Sequence, residues 1–90
     1  ILKEVARTMN VSPEDIISQK RAAPISQARQ VSAFVIRSVT NLSLEEIGDH
    51  LGKRDHSTVF YAIQMAENRM KKDMLFKGLV NDIIKNINSR

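Results

Sequence analysis

The stretch Gly52-Lys53-Arg54-Asp55-His56-Ser57-Thr58-Val59 decides how this chain is read. Glycine readily ends a helix in the left-handed conformation, and aspartate is a favoured first cap of the next. Gly52 therefore ends one helix and Asp55 begins another, with the polar residues Arg54 to Thr58 crowded around its first turn. Donors and acceptors gathered at a helix tip are what the reading of base edges in a major groove requires. The apolar stripe of the second helix (Val59, Ala62, Ile63, Ala66, Met70) starts only after the tip, at spacings of 3, 4, 7 and 11 from Val59. The tip is composed for contact and the shaft for packing.

Upstream of Gly52, Ser43-Leu44-Glu45-Glu46 has the spacing of a capping box, a serine cap with a glutamate three residues on. It opens a short helix, Leu44 to Leu51, with Leu44, Ile47 and Leu51 on one face. Gly48 inside that helix costs roughly 1 kcal/mol against alanine, which predicts a close helix–helix approach there. A turn of three residues then joins this helix to the one from Asp55 to Lys72, completing a helix-turn-helix pattern. Beyond it, Met74 to Ile87 places Leu75 or Phe76, Leu79, Val80, Ile83, Ile84 and Ile87 on the apolar face of a last helix.

Toward the N-terminus, a long helix is expected from about Ser26 to Val39, closed by Thr40 and Asn41. Val31, Phe34, Val35 and Val39 form its apolar face, while Arg29, Gln30 and Arg37 project elsewhere. Residues 19–24 read as a basic loop ending at Pro24, because the residue before a proline resists the helical region. Ser12-Pro13-Glu14-Asp15 starts a short helix, Pro13 to Ser18, that buries Ile16 and Ile17. Ile1, Leu2, Val5, Ala6 and Met9 share one side of a first helix, broken by Asn10 and Val11. There is no internal repeat, low-complexity tract or strand-like alternation. The expected fold is all-α: a compact helical domain containing a helix-turn-helix, with a basic loop before it.

Ninety residues make one domain, read here as residues 1–90. A chain opening at Ile1, already inside an amphipathic pattern, reads as a fragment of a longer protein; the resemblance given below implies its C-terminal part. The absence of cysteine excludes disulfides and thiolate metal sites. His50 and His56 have no evident third ligand, so no metal site is assigned. No apolar run approaches membrane-spanning length and no signal-peptide pattern is present. Glycine-rich phosphate loop, nucleophile elbow and paired-carboxylate cleft are all missing. Glu45 and Glu46 are adjacent and so diverge on a helix, as do Asp55 and His56, and no nucleophile completes a triad. No catalytic residue is assigned, and the chain is not expected to be an enzyme.

The net charge is +4. From Lys20 to Arg54 there are six basic residues (Lys20, Arg21, Arg29, Arg37, Lys53, Arg54) against three acidic ones (Glu45, Glu46, Asp49). A clustered positive face suits a polyanion, although a solvated basic surface has the same composition. A plain helical bundle likewise shares the helix-turn-helix pattern. Three features favour nucleic-acid binding over it: the polar tip, the basic loop at Lys20-Arg21, and Arg29, Gln30 and Arg37 on one helix as if to clamp phosphates.

Taken in order and spacing, Arg29-Gln30, Thr40-Asn41-Leu42-Ser43-Leu44-Glu45-Glu46-Ile47-Gly48 and Arg54-Asp55-His56-Ser57-Thr58-Val59 closely resemble the C-terminal DNA-binding domain of bacterial chromosomal replication initiators, the DnaA family. The resemblance spans essentially the whole chain and is densest from Gln19 to Ala62. It implies binding to short asymmetric duplex boxes of the TTATCCACA type at a replication origin. Arg21 matches the arginine that enters the minor groove, where a narrow A·T-rich groove concentrates negative potential. Asp55, His56 and Ser57 match the base-reading tip. Lys20, Arg29, Gln30, Arg37, Ser43, Lys53, Arg54, Thr58 and Tyr61 match backbone positions, with turn scaffolding an alternative for Lys53 and Arg54, and core packing for Tyr61. Leu44 and Glu45 are candidates for a base contact.

The same resemblance implies no cofactor in this chain, ATP in a separate domain of the parent protein, other initiator protomers as partners through missing domains, and a cytoplasmic, nucleoid-associated location. Acidic phospholipids are a partner implied for the parent. Ala28 stands where the family carries a proline at a rigid helix entry, Glu45 where relatives have proline, and Ser57 where they have threonine. Gln19 and Ala23 are neutral where relatives are often basic. These departures predict weaker electrostatic binding or slightly relaxed base preference, not a different target. Two other readings share the scaffold: a helix-turn-helix of a transcription regulator or transposase, separated by a preference for origin boxes, and a protein- or membrane-interaction module, separated by vesicle flotation.

Overall fold

Four side-chain caps punctuate the chain in a computed structural model, which describes residues 1–89. Ser12 accepts from the Asp15 N–H at 3.1 Å, Ser43 from Glu46 at 3.1 Å, Asp55 from Thr58 at 2.8 Å and Asp73 from Phe76 at 3.1 Å. Each bond satisfies one of the N–H groups that a helix start leaves without a partner. The helices are α1 (Leu2–Met9), α2 (Pro13–Ile16), α3 (Ala23–Val39), α4 (Leu44–His50), α5 (His56–Lys72) and α6 (Met74–Asn88), with no strand among the described residues. The all-α expectation holds.

Chain breaks follow the local chemistry. Asn10 ends α1 in the left-handed region at φ 58°, a conformation asparagine tolerates better than most residues. The capping box at Ser43 is complete, since Glu46 Oε1 also accepts from the Ser43 N–H at 3.0 Å. Gly52 follows α4 at φ 81° and Lys53 continues the turn at φ 63°, so the reversal into α5 needs two consecutive left-handed residues.

α3 is the centre of the domain and packs against each of the other five helices. Its Ala28, Val31, Ala33, Val35 and Ile36 are buried, together with Val5, Ile16, Ile47, Leu51, Val59, Ile63, Val80 and Ile83 from the surrounding elements. The stripe expected on α5 is realised, with Val59, Ile63 and Ala66 buried and Ala62 and Met70 half-buried. α6 closes the core with Phe76, while Leu75 is 88% exposed, which resolves that pair in favour of the phenylalanine.

Three expectations are corrected. α3 starts at Ala23 rather than Ser26, with Pro24 in its first turn. The N–H that proline lacks would have had no helical partner there, so the proline does not delay the helix. It follows that Ala28 is not a helix entry but a buried interior position, and Pro24 serves the entry instead. α2 ends at Ile16, and Ile17 is 43% exposed rather than buried. One turn of helix has only one side to bury, and Ile16 occupies it.

Candidate nucleic-acid interface

α5 is held at its N-terminal end by the turn that precedes it. The Gly48 carbonyl accepts from the N–H groups of Leu51 and Arg54 at 3.1 and 3.0 Å, drawing the turn back against α4. A Cβ at Gly48 would collide with the Arg54 carbonyl oxygen and lie 3.3 Å from Val59 Cγ2. The close approach expected at Gly48 is thus made to turn backbone as well as to the side of α5.

With Val59, Ile63 and Ala66 facing the core, α5 presents Ser57, Phe60, Tyr61 and Gln64 outward. Phe60 is 51% and Tyr61 61% exposed. At the tip, Asp55, His56, Ser57 and Thr58 are all exposed. The N–H groups of the first turn, that of Thr58 foremost, hold the Asp55 carboxyl below its ordinary value, so it stays ionised. A carboxylate accepts about four hydrogen bonds, so capping leaves it capacity to accept from a ligand.

Two grooves flank this ridge. One is lined by Arg21, Arg29, Gln30, Arg54, Thr58 and Tyr61, which brings the basic loop, α3 and the start of α5 together. The other is lined by Phe34, Arg37, Leu44, Phe60, Ile63 and Glu67. The structure thus gathers most of the expected site residues but sorts them: Arg21, Gln30, Thr58 and Tyr61 on one side of α5, Arg37 and Leu44 on the other. Tyr61 points outward rather than into the core. Ser43 and Glu45 are exposed at the start of α4, and Lys53 is exposed on the turn. Lys20 is exposed too, but its Nζ donates to Asp15 Oδ1 at 2.9 Å, and that bond chiefly lowers the Asp15 carboxyl. A phosphate would have to compete with the aspartate.

Arg29 requires a correction. It is only 8% exposed, and its guanidinium turns inward to the end of α2 and the loop that follows it. Nε donates to the Ile16 carbonyl at 2.7 Å, and Nη2 lies 3.1, 2.9 and 3.1 Å from the carbonyls of Asp15, Ser18 and Lys20. Burial, then the positive charge of Arg54, lowers its pKa, without removing a charge that arginine keeps in proteins. Arg29 therefore ties the basic loop to α3 instead of reaching out as a phosphate clamp. Its sequence setting, a basic residue next to Gln30 on a helix, gave no sign of this, because its acceptors lie 9 to 14 residues away.

Arg54 likewise resolves as turn scaffolding. Its Nη1 donates to the Leu51 carbonyl and its Nη2 to the Ser18 carbonyl at 2.6 Å. Phe60 is the residue that pattern reading passed over. It falls outside the apolar stripe, and an aromatic at a position predicted to face solvent was the available signal.

Against known proteins, a model of the family described as bacterial dnaA protein helix-turn-helix matches residues 1–65. The chain is 39% identical over 87 residues to the chromosomal replication initiator protein DnaA of Thermodesulfovibrio yellowstonii, covering 97% of this chain and 20% of that protein. It is 38% identical over 91 residues to the protein of that name from Aliarcobacter butzleri (100% of this chain, 21% of that protein) and 36% identical over 88 residues to that of Lachnoclostridium phytofermentans (98% and 19%). The chain thus spans about a fifth of the length of these relatives.

Proposed function

The chain belongs to the bacterial DnaA helix-turn-helix family, and from that premise we propose that it binds duplex DNA sequence-specifically and anchors a replication initiator at asymmetric origin boxes of the TTATCCACA type. The observation that carries the reading is the exposed ridge of α5, with an ionised carboxylate at its tip, a groove holding Arg21 on one side and a groove holding Arg37 beside Glu67 on the other. A helix so flanked can enter a major groove while the two phosphate rows pass along its sides.

In this reading Asp55, His56 and Ser57 meet base edges, the carboxylate accepting from an exocyclic amine of cytosine or adenine. Arg21 enters the adjacent minor groove. Gln30, Thr58 and Tyr61 meet one phosphate row, and Arg37 with Ser43 meets the other. Lys53 adds charge from the turn, and Leu44 and Glu45 lie where a base contact is available at the start of α4. Glu45 brings a negative charge to that edge, and relaxed base preference is expected from it. ATP binding and contacts with other protomers are assigned to the remainder of the parent protein, in the bacterial cytoplasm.

The test is fluorescence anisotropy of a duplex carrying one box beside a shuffled duplex, at two salt concentrations. A preference of tenfold or more, about 1.4 kcal/mol, that survives the higher salt is expected. Equal binding that vanishes with salt would reduce the domain to a basic patch.

Two substitutions refine it. Asp55→Asn keeps a good cap but presents an amide where a carboxylate stood. It should leave the unfolding midpoint nearly unchanged and weaken box binding roughly tenfold to a hundredfold, with little effect on random DNA. Unchanged box preference would confine Asp55 to capping. Arg37→Ala should weaken binding to every sequence and make the salt dependence shallower by about one unit. An unaltered slope would remove Arg37 from the phosphate contacts.

A further inference from the structure

The loop that joins α2 to α3 (residues 17–22), which contains Lys20 and Arg21, and the turn before α5 are remote in sequence but clasped together. The Ser18 carbonyl accepts two guanidinium N–H groups, from Arg54 at 2.6 Å across 36 residues and from Arg29 at 2.9 Å. The other arm of Arg54 donates to the Leu51 carbonyl, so one planar fork spans the end of α4 and the loop. Gly52 closes the same junction: a Cβ there would collide with the Ile17 carbonyl oxygen. Inside the loop, the Ser18 hydroxyl donates to the Asp15 carbonyl at 2.6 Å and accepts from the Lys20 N–H at 3.1 Å. Arg21 follows directly, and Ser26 donates to its carbonyl at 3.3 Å.

We infer that this clasp sets the distance between the loop that carries Arg21 and the tip of α5, making Arg54 a positioning residue that couples the two DNA-reading elements. The inference rests on the DNA-binding reading above. Arg21 and the Asp55–Ser57 tip must engage one box at once. A loop already held at the right separation reaches its groove without the ordering cost that a free loop incurs. Arg54 immediately precedes Asp55, so the residue that fixes the loop is linked covalently to the first residue of the tip. Two carbonyls are reached by one arginine because its donors are arrayed in a rigid fork. A lysine has a single point charge and does not reproduce that geometry.

The test compares the charge-preserving Arg54→Lys with Arg54→Gln, each alone and combined with Arg21→Ala. In the unsubstituted chain Arg21→Ala is expected to weaken box binding about tenfold. With either substitution at Arg54, the same change should weaken it less than about threefold. The salt slope of Arg54→Gln should stay that of the unsubstituted chain. Without DNA, the Ser18 and Lys20 amides of both Arg54 variants should exchange hydrogen at least about tenfold faster, while the α5 amides keep their protection.

Full box affinity in Arg54→Lys with an undiminished Arg21 effect would overturn the inference and make Arg54 a phosphate contact. Unchanged loop exchange would overturn it as well. Failure of both Arg54 variants to fold would overturn it by placing Arg54 in the core of the fold. Absence of any box preference in the unsubstituted chain would instead strike the proposed function, and the exchange rates would still decide whether the clasp orders the loop.

Discussion

Arg29→Ala is expected to lower the unfolding free energy by about 2–4 kcal/mol, a large share of what a domain of this size has. The guanidinium holds the carbonyls of Asp15, Ile16, Ser18 and Lys20. Bonds from a charged donor contribute about 1.5–3 kcal/mol each before allowance for carbonyls that regain water. Removing the side chain also leaves a void beside Ile16 and frees the loop that joins α2 to α3. Urea unfolding followed by far-ultraviolet circular dichroism measures the effect. A loss under about 1 kcal/mol, with a shallower salt dependence of DNA binding, would return Arg29 to the phosphate clamp that its sequence setting suggested.

The second large effect is expected at Gly48. On helix propensity alone Gly48→Ala should stabilise α4 by roughly 1 kcal/mol. The collision with the Arg54 carbonyl oxygen reverses the sign, because that oxygen is backbone and cannot swing aside as a flexible side chain could. The turn must move away from α4, straining the 3.0 Å bond from the Arg54 N–H to the Gly48 carbonyl. A net loss of about 2–3 kcal/mol is expected, in the range of overpacked cores. Box affinity should fall further than stability alone accounts for, because the tip of α5 is displaced. Thermal unfolding and anisotropy on one preparation check both, and a variant at least as stable as the parent would show that the turn has room to give.

The proposed interface would cover two of the large apolar residues that α5 exposes. Phe60 and Tyr61 lie on the ridge between two grooves, where an interface with a ligand would bury them. Met74 and Leu75, by contrast, lie at the α5–α6 junction away from either groove. The Arg69 guanidinium lies over the ring of Phe76, 4.1 Å from its centroid, so the junction of α5 and α6 is held by a cation on an aromatic face.

Six helices, their order, the Ser43 capping box, the Asp55 cap and the stripe on α5 were all legible in the chain itself. Each depends on residues within about four positions of one another, the range over which caps and helical periodicity act. The start of α3 was misplaced because the rule for residues before proline and the preference for proline in a first turn oppose each other. At Pro24 the first turn wins. What the sequence could not decide was where the arginines point. Arg21, Arg29, Arg37 and Arg54 are chemically the same group. Whether one faces an anion or a carbonyl is settled by packing that brings residue 18 beside residues 29 and 54. A guanidinium takes whichever acceptors tertiary contact delivers, so Arg21 and Arg37 stayed on the surface while Arg29 and Arg54 became the ties that shape it.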